Sequence, residues 1–325
     1  MEIEPTVSVV MSVYNGAETL SATVESVLKQ SEVDFEFIVI NDGSTDFSGR
    51  ILDRYAADDE RMRVFHQPNR GLTKALIHGC SLARGRFIAR QDAGDLSLPH
   101  RLSREQAILD KDASVVFVSC WTQFAGPALE PLYVSRGTGR WSAVDTLIDL
   151  SAPKCVVDGP TSHPVVMFRR DAYERAGGYR AEFRFGQDWD LWYRLASLGK
   201  FRMIEDVLYI ARVNPVSIST IDRPAQQQLA AISEELVRAR AAGRSEASLL
   251  AEASTIKDIR SRGLCARARG NYFIGEALRR NRDVRCRTYL RRAATSCPLL
   301  VRAWIRLLQS VVLRDSAYES GPMRG

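Results

Sequence analysis

Between residues 6 and 92, apolar runs of strand length alternate with helix-patterned segments, and every run ends in polar residues. The runs are TVSVVMSVYN (6–15), FEFIVINDGSTD (35–46), MRVFHQ (62–67) and RFIARQD (86–92). Between them, Leu20, Val24, Val27 and Leu28 share one helical face, as do Ile51, Leu52 and Tyr55, and a third helix is expected over 72–83. Such alternation predicts an α/β fold with a mainly parallel sheet of βα units. Ligands of such sheets bind at the carboxyl ends of the strands. The polar clusters Tyr14-Asn15, Asn41-Asp42 and Asp92 to Asp95 all lie there. A dinucleotide dehydrogenase is excluded, because no G-x-G-x-x-G follows the first run, and no P-loop is present.

After residue 100 the alternation loosens. A strand is expected at 113–124, a Gly/Pro-rich loop at 126–140, a strand, short helix and Gly turn over 163–180, a helix at 188–199 and a last strand at 207–213. Beyond Pro224 the pattern is helical, with segments at 225–242, 245–262, 264–280, 284–296 and 299–313. Charge divides the chain at the same place. Residues 1–222 hold 25 Lys+Arg against 30 Asp+Glu, whereas 223–325 hold 20 against 9. The expected organisation is therefore an α/β domain over 1–222, in two parts (to about 110, and about 111–222), followed by an Arg-rich helical region over 223–325.

The six cysteines are scattered without a C-x-x-C pair, which suits a reducing compartment better than a disulfide framework or a zinc site. The acidic start, MEIEPTVSVV, has no basic segment of a signal peptide, and no run of about 18 apolar residues offers a membrane span. A cytoplasmic protein is expected, with any membrane contact peripheral, on the inner face of the cell membrane.

Three acidic turns carry the chemistry: Asn41 to Asp46, Asp92-Ala93-Gly94-Asp95 and Gln187-Asp188-Trp189-Asp190. A transferase that uses a nucleotide-diphosphate donor needs acceptors for base and ribose hydrogens, a divalent cation at the leaving diphosphate, and a general base for the attacking hydroxyl. Carboxylates meet the first and third needs directly and hold hard Mg²⁺ or Mn²⁺ for the second.

In these turns and around them the sequence resembles the family 2 inverting glycosyltransferases of bacterial type, which have the GT-A fold. The likeness runs over VSVVMSVYNGAETLSATVESVLKQ, FEFIVINDGSTDFSGRIL, QPNRGLTKALIHGCSLARGRFIARQDAGDLSLPHRL, SHPVVMFRRDAYERAGGYR and QDWDLWYRLASLG, across roughly residues 6–213. The resemblance implies sugar transfer from a nucleotide-diphosphate sugar, UDP-linked by preference, to a hydroxyl of a glycan or lipid-linked acceptor in surface-polysaccharide synthesis. It implies that Tyr14 stacks on the base, Asp42 binds the base edge and Asp92 contacts the ribose. Further donor contacts are expected from Ser12, Asn15, Asn69, Gly71, Lys74 and Ala93. Asp188 matches the general base; Gly178, Tyr179 and Trp189 would border the acceptor, with His163 and Asp190 as further candidates. One departure stands out. Gly94 occupies the position of the family's metal-binding Asp, so Asp92 and Asp95 are the expected ligands of Mg²⁺ or Mn²⁺. The alternative is a catalytically silent nucleotide-sugar-binding or assembly protein of the same fold.

The segment LLVRAWIRLLQSVVL (299–313) gathers apolar residues on one side, with Arg302 and Arg306 four apart. Three readings fit it: an interfacial helix on anionic lipid, the tail's own core, or a homodimer face. No recognition motif points to nucleic acid.

Overall fold

The computed structural model describes residues 4–136, 159–215, 223–256 and 264–311. Contacts divide the chain into two compact units: Met1–Gln123, Val134–Ala211 and Pro224–Lys257 form the first, and Phe124–Tyr133, Arg212–Arg223 and Asp258–Gly325 the second.

The first unit opens with the expected alternation: β1 (Val7–Val13), α1 (Ala17–Leu28), β2 (Phe35–Asp42), α2 (Ser48–Asp58), β3 (Met62–Gln67), α3 (Leu72–Ser81) and β4 (Phe87–Asp92). All eight residues of β2 are buried, as expected of a parallel strand covered on both faces. β5 (Leu96–Ser97), α4 (Arg101–Lys111), β6 (Val115–Ala125) and β7 (Pro131–Ser135) follow. A 3₁₀ turn at His163–Val165 leads to β8 (Met167–Arg169), α5 (Arg170–Arg175), α6 (Gln187–Ala196) and β9 (Lys200–Arg212). The sheet runs β3-β2-β1-β4-β8-β6-β9-β5, with β7 paired to β6.

Pairing is parallel among β3, β2, β1 and β4, but β8 runs antiparallel to both β4 and β6, and β5 antiparallel to β9. The sheet is thus mixed beyond β4. Two further differences have local causes. β9 begins at Lys200 rather than 207, because its first half carries charged, partly exposed residues that hide a strand. β7, five residues long, lies inside the stretch expected as a loop and pairs with β6. Much of the 126–160 loop, residues 137–158, lies outside the described residues.

The expected helical region divides between the units. In the first lie α7 (Arg223–Ala241) and α8 (Ala247–Thr255), whose Leu229, Ile232, Leu236 and Ala253 form a buried cluster with Phe183 and Phe185. The second unit holds α9 (Leu264–Arg280), α10 (Cys286–Ser296) and α11 (Val301–Val311). Its core is built on Leu132, Ile274, Leu278, Tyr289 and Leu290. Cys265 in α9 and Cys297 after α10 form a disulfide, with Cα atoms 5.2 Å apart. This corrects the expectation of unpaired thiols: α9 and α10 fold back on each other, and that juxtaposition is not written in the spacing of the cysteines. Cys80, Cys120 and Cys286 stay reduced and buried. Among the described residues, no helix is long and apolar enough to cross a membrane.

Candidate active site

Strand register sets the site. Ser12 lies opposite Asp92 across β1 and β4, Val13 opposite Asn41 across β1 and β2, and Asp42 opposite Gln67 across β2 and β3. The carboxyl ends of these strands therefore present Ser12, Asp42 and Asp92 along one edge. Tyr14, one residue past β1, keeps 56% of its surface exposed, which leaves its ring open to stacking.

The loops behind this row are tied to each other. Asn15, with φ 52°, donates its N–H to Ser44 Oγ (3.0 Å) and accepts the Thr45 N–H on Oδ1 (2.8 Å). Asp46 accepts the Ala17 N–H on one oxygen and the Ser48 N–H on the other. The Asn15 N–H and Oδ1 thus brace the turn after β2. Asp42 is buried as well; its carboxylate takes Gln67 Nε2 (2.7 Å) and the N–H groups of Arg70 (2.9 Å) and Gly71 (2.8 Å). It therefore fixes the loop that carries Asn69 and Gly71. Gly43 permits the arrangement: φ is 74°, and a Cβ there would lie 2.6 Å from the Asn69 nitrogen. Lys74 is exposed on α3, and Ala93 is half-buried in the turn after β4.

The turn after β4 is locked from below. The buried Tyr209 hydroxyl accepts from Gln91 Nε2 (3.1 Å) and the Asp92 N–H (3.2 Å) and donates to Asp95 Oδ2 (3.1 Å). The next residues after Asp95 join β5, where Ser97 pairs with Tyr209. Asp95, expected as a metal ligand, is accordingly buried on Tyr209, while the Asp92 side chain remains 37% exposed. Gly94 has φ 102°, a backbone state that a carboxylate-bearing residue resists. Among the described residues, no three His, Cys, Asp or Glu side chains gather to hold a metal.

Beneath Asp92 lies a residue that the sequence reading passed over. The Arg90 guanidinium is fully buried; it pairs with Asp92 Oδ1, donates to the carbonyls of Val10 and Gln91 (2.9 Å each), and approaches His163 Nε2 (3.4 Å). A positive charge inside an apolar strand was the available signal. Tyr179 Oη lies 2.8 Å from the same His163 nitrogen. A guanidinium cannot accept a hydrogen bond, so Nε2 is the acceptor for both donors and His163 is neutral. Burial, aided by the Arg90 charge, holds its pKa well below the ordinary value.

Asp188 stands in the first turn of α6. Burial pushes its carboxyl up to about 6, and the Asp92 charge adds to this, whereas the N–H groups of Trp189 and Asp188 and the Arg90 charge oppose it. Trp189 beside it packs edge-on against Trp192, with centroids 4.9 Å apart. Asp190 is different. It is buried and committed to Arg194 (2.5 Å) and Arg180 (3.4 Å), and Arg194 also holds the Gly178 carbonyl (2.6 Å). Gly178 itself, at φ 66°, lies against the Tyr173 ring. Asp190 and Gly178 thus brace the segment that delivers Tyr179.

The structure therefore brings Ser12, Tyr14, Asp92, His163, Tyr179 and Asp188 to the strand-end side, with Asn15, Asp42, Asp95 and Asp190 in supporting bonds. A partly exposed carboxylate at Asp92 and, at Asp188, a carboxyl that burial raises to about 6 stand on that side. The description Glycosyl transferase family 2 belongs to the family model that matches residues 8–176. The putative glycosyltransferase EpsE of Bacillus subtilis (strain 168) is 35% identical over 219 residues, covering 65% of this chain and 74% of that protein. The chondroitin synthase of Pasteurella multocida (strain Pm70) is 25% identical over 240 residues, 73% of this chain but 24% of that protein. Among solved structures, S. aureus TarS 1-349 in complex with UDP superposes with a TM-score of 0.54 at 17% identity, over 94% of this chain and 88% of that one. A mannosyltransferase from Pyrobaculum calidifontis, in complex with GDP-Man and Mn²⁺, gives a TM-score of 0.54 at 16% identity, over 96% and 86%. These structures share the GT-A fold. The protein is a glycosyltransferase, and the chain belongs to glycosyl transferase family 2.

Proposed function

We propose that the protein transfers a sugar, with inversion, from a nucleotide-diphosphate donor to a hydroxyl of a glycan or lipid-linked acceptor, and that Asp188 is the general base. The observation that carries this is the Asp188 carboxyl, raised to about 6 by burial. A base of that strength is ionised at neutral pH yet accepts a proton readily. Asp188 takes the hydroxyl proton while the acceptor oxygen attacks the anomeric carbon. The bond to the diphosphate breaks on the opposite face, and the nucleoside diphosphate leaves with the electron pair. Tyr14 stacks on the base and Asp92 binds the ribose. UDP is the favoured nucleotide, as in the TarS complex of the same fold; the GDP-Man complex of the mannosyltransferase makes a guanosine diphosphate sugar the second donor to test.

The donor set suits a cation. Mg²⁺ is commonly held by one or two carboxylates together with substrate phosphates and water. Asp92 supplies the exposed carboxylate, and the bound ion would offset charge on the leaving diphosphate. In a Mn²⁺ titration with UDP present, Asp92→Ala is expected to weaken binding by about tenfold or more, as expected when a ligand is removed. Asp95→Ala is expected to weaken it far less. Equal losses would move the ion to Asp95.

The pH profile tests the base. A group with a pKa of about 6 is active above that value and protonated below it. The kcat/KM is expected to be flat near neutrality and to fall about tenfold per pH unit below pH 6. An acid limb near the ordinary aspartate pKa would reject Asp188.

A further inference from the structure

Among the described residues of 299–313, only part of the apolar stripe packs into a core: Ala303 is buried, and Leu300 and Leu307 pack against neighbouring clusters. On α11 the residues that turn inward are Ala303 and Ser310, with Leu307 partly buried against the second unit's core. Most of the other large side chains point away. Leu299, Val301, Trp304, Ile305, Leu308 and Val311 are all exposed, Leu308 by 71%. Positions 301, 304, 305 and 308 fall on one helical face. Residues 312 and 313 of the stripe lie outside the described residues. A face of this kind, with no polar interruption, marks an interaction surface.

The charge around it selects the partner. Residues 264–311 contain eleven arginines, no lysine and two acids, Glu276 and Asp283. Glu276 is shared among Arg279 (2.8 Å), Arg280 (3.2 Å) and Arg306 (3.4 Å), so most of the positive charge is uncompensated. Arg302 stands at the rim of the apolar face, its guanidinium over Tyr272 at 5.9 Å from the ring centroid. Trp304 tethers its Nε1–H to the Pro298 carbonyl (3.2 Å) and exposes the rest of the ring, as tryptophans do at lipid–water boundaries. A second copy would bring identical arginine rims together, which like charge opposes. Anionic headgroups complement the rim, and acyl chains complement the stripe.

We propose that α11 docks flat on an anionic lipid surface, with Trp304, Ile305 and Leu308 inserted and Arg302 at the headgroups. The helix offers about 16 Å of contact at 1.5 Å per residue. This binding is peripheral and does not depend on the proposed donor or acceptor.

The experiment is flotation of the full chain with vesicles of phosphatidylcholine alone and with vesicles containing phosphatidylglycerol. The chain is expected to float with the anionic vesicles, to bind neutral ones weakly, and to lose binding as salt is raised. Arg302→Glu is expected to weaken partition by about fivefold or more, since each arginine near such a surface is worth about that factor. Ile305→Ser with Leu308→Ser is expected to weaken it by about tenfold or more. Both variants change exposed positions, and coincident thermal melts establish that they fold. Failure to float with anionic vesicles overturns the proposal, as does undiminished flotation of the folded variants. A dimer that forms without lipid and dissociates in the double variant, with no flotation, assigns the face to a second copy and overturns it too.

Discussion

Asp188→Asn is expected to retain donor binding and to lose sugar transfer by about 10²- to 10⁴-fold in kcat, the usual share of a positioned general base. The amide has nearly the shape of the carboxyl and keeps its place in the first turn of α6. It cannot take the proton from the attacking hydroxyl. Folding does not confound the result. Burial raises the Asp188 pKa above its unfolded value, so the ionised carboxylate costs stability above pH 6, and its replacement by a neutral amide removes that cost. Donor affinity, measured by calorimetry with UDP and with nucleotide sugars, should stay within a fewfold of the parent. Product stereochemistry gives the independent readout: an α-linked donor sugar must yield a β-linked product. A variant that transfers at the parent rate would end the assignment of Asp188, while retention of configuration would end the single displacement.

How much of the fold and of the candidate site could be read from the sequence follows from the range over which each feature is written. The alternation of β1 to β4 is periodicity, a local property, and β3 was read to the residue at 62–67. Pairing sense is not local, so the antiparallel placement of β8 between β4 and β6 could not be read from the runs themselves. Asp42, Asp92 and Asp188 were legible as acids in turns at strand or helix ends. The bonding partners that each acid takes come from elsewhere. Asp95 is decided by Tyr209, 114 positions away, and Asn15 by Ser44 and Thr45. Asp190 shows what could have been seen: Arg194 lies four residues on, a helical ion-pair spacing that argues for a brace. Gly94 reads as a lost ligand in sequence, but its φ of 102° makes it a backbone requirement of the turn.

Arg90→Met is expected to destabilise the first unit by about 3–5 kcal/mol, the cost of breaking a buried ion pair from one side. Partial exposure of Asp92 lets water recover some of that, so the lower end is expected. The carbonyls of Val10 and Gln91, which take Arg90 Nη1, lose their donor as well. A second effect separates a site role from a purely structural one. The Arg90 charge lowers the Asp188 pKa and thereby offsets part of the effect of burial and Asp92. Without it, the carboxyl should titrate above 6, and the acid limb of kcat/KM should move to higher pH in the same direction. His163 does not replace the lost charge, because burial, the larger cause of its depressed pKa, remains. Arg90→Lys supplies the discriminating control. It restores a positive charge and should return the acid limb toward the parent position. It cannot reproduce the guanidinium fork that reaches Asp92, Val10, Gln91 and His163 together, so stability should recover only in part. Thermal melts and pH profiles of the two variants therefore separate charge from geometry. If Arg90→Met leaves the acid limb in place, the buried arginine is a brace for β4 with no electrostatic hold on Asp188.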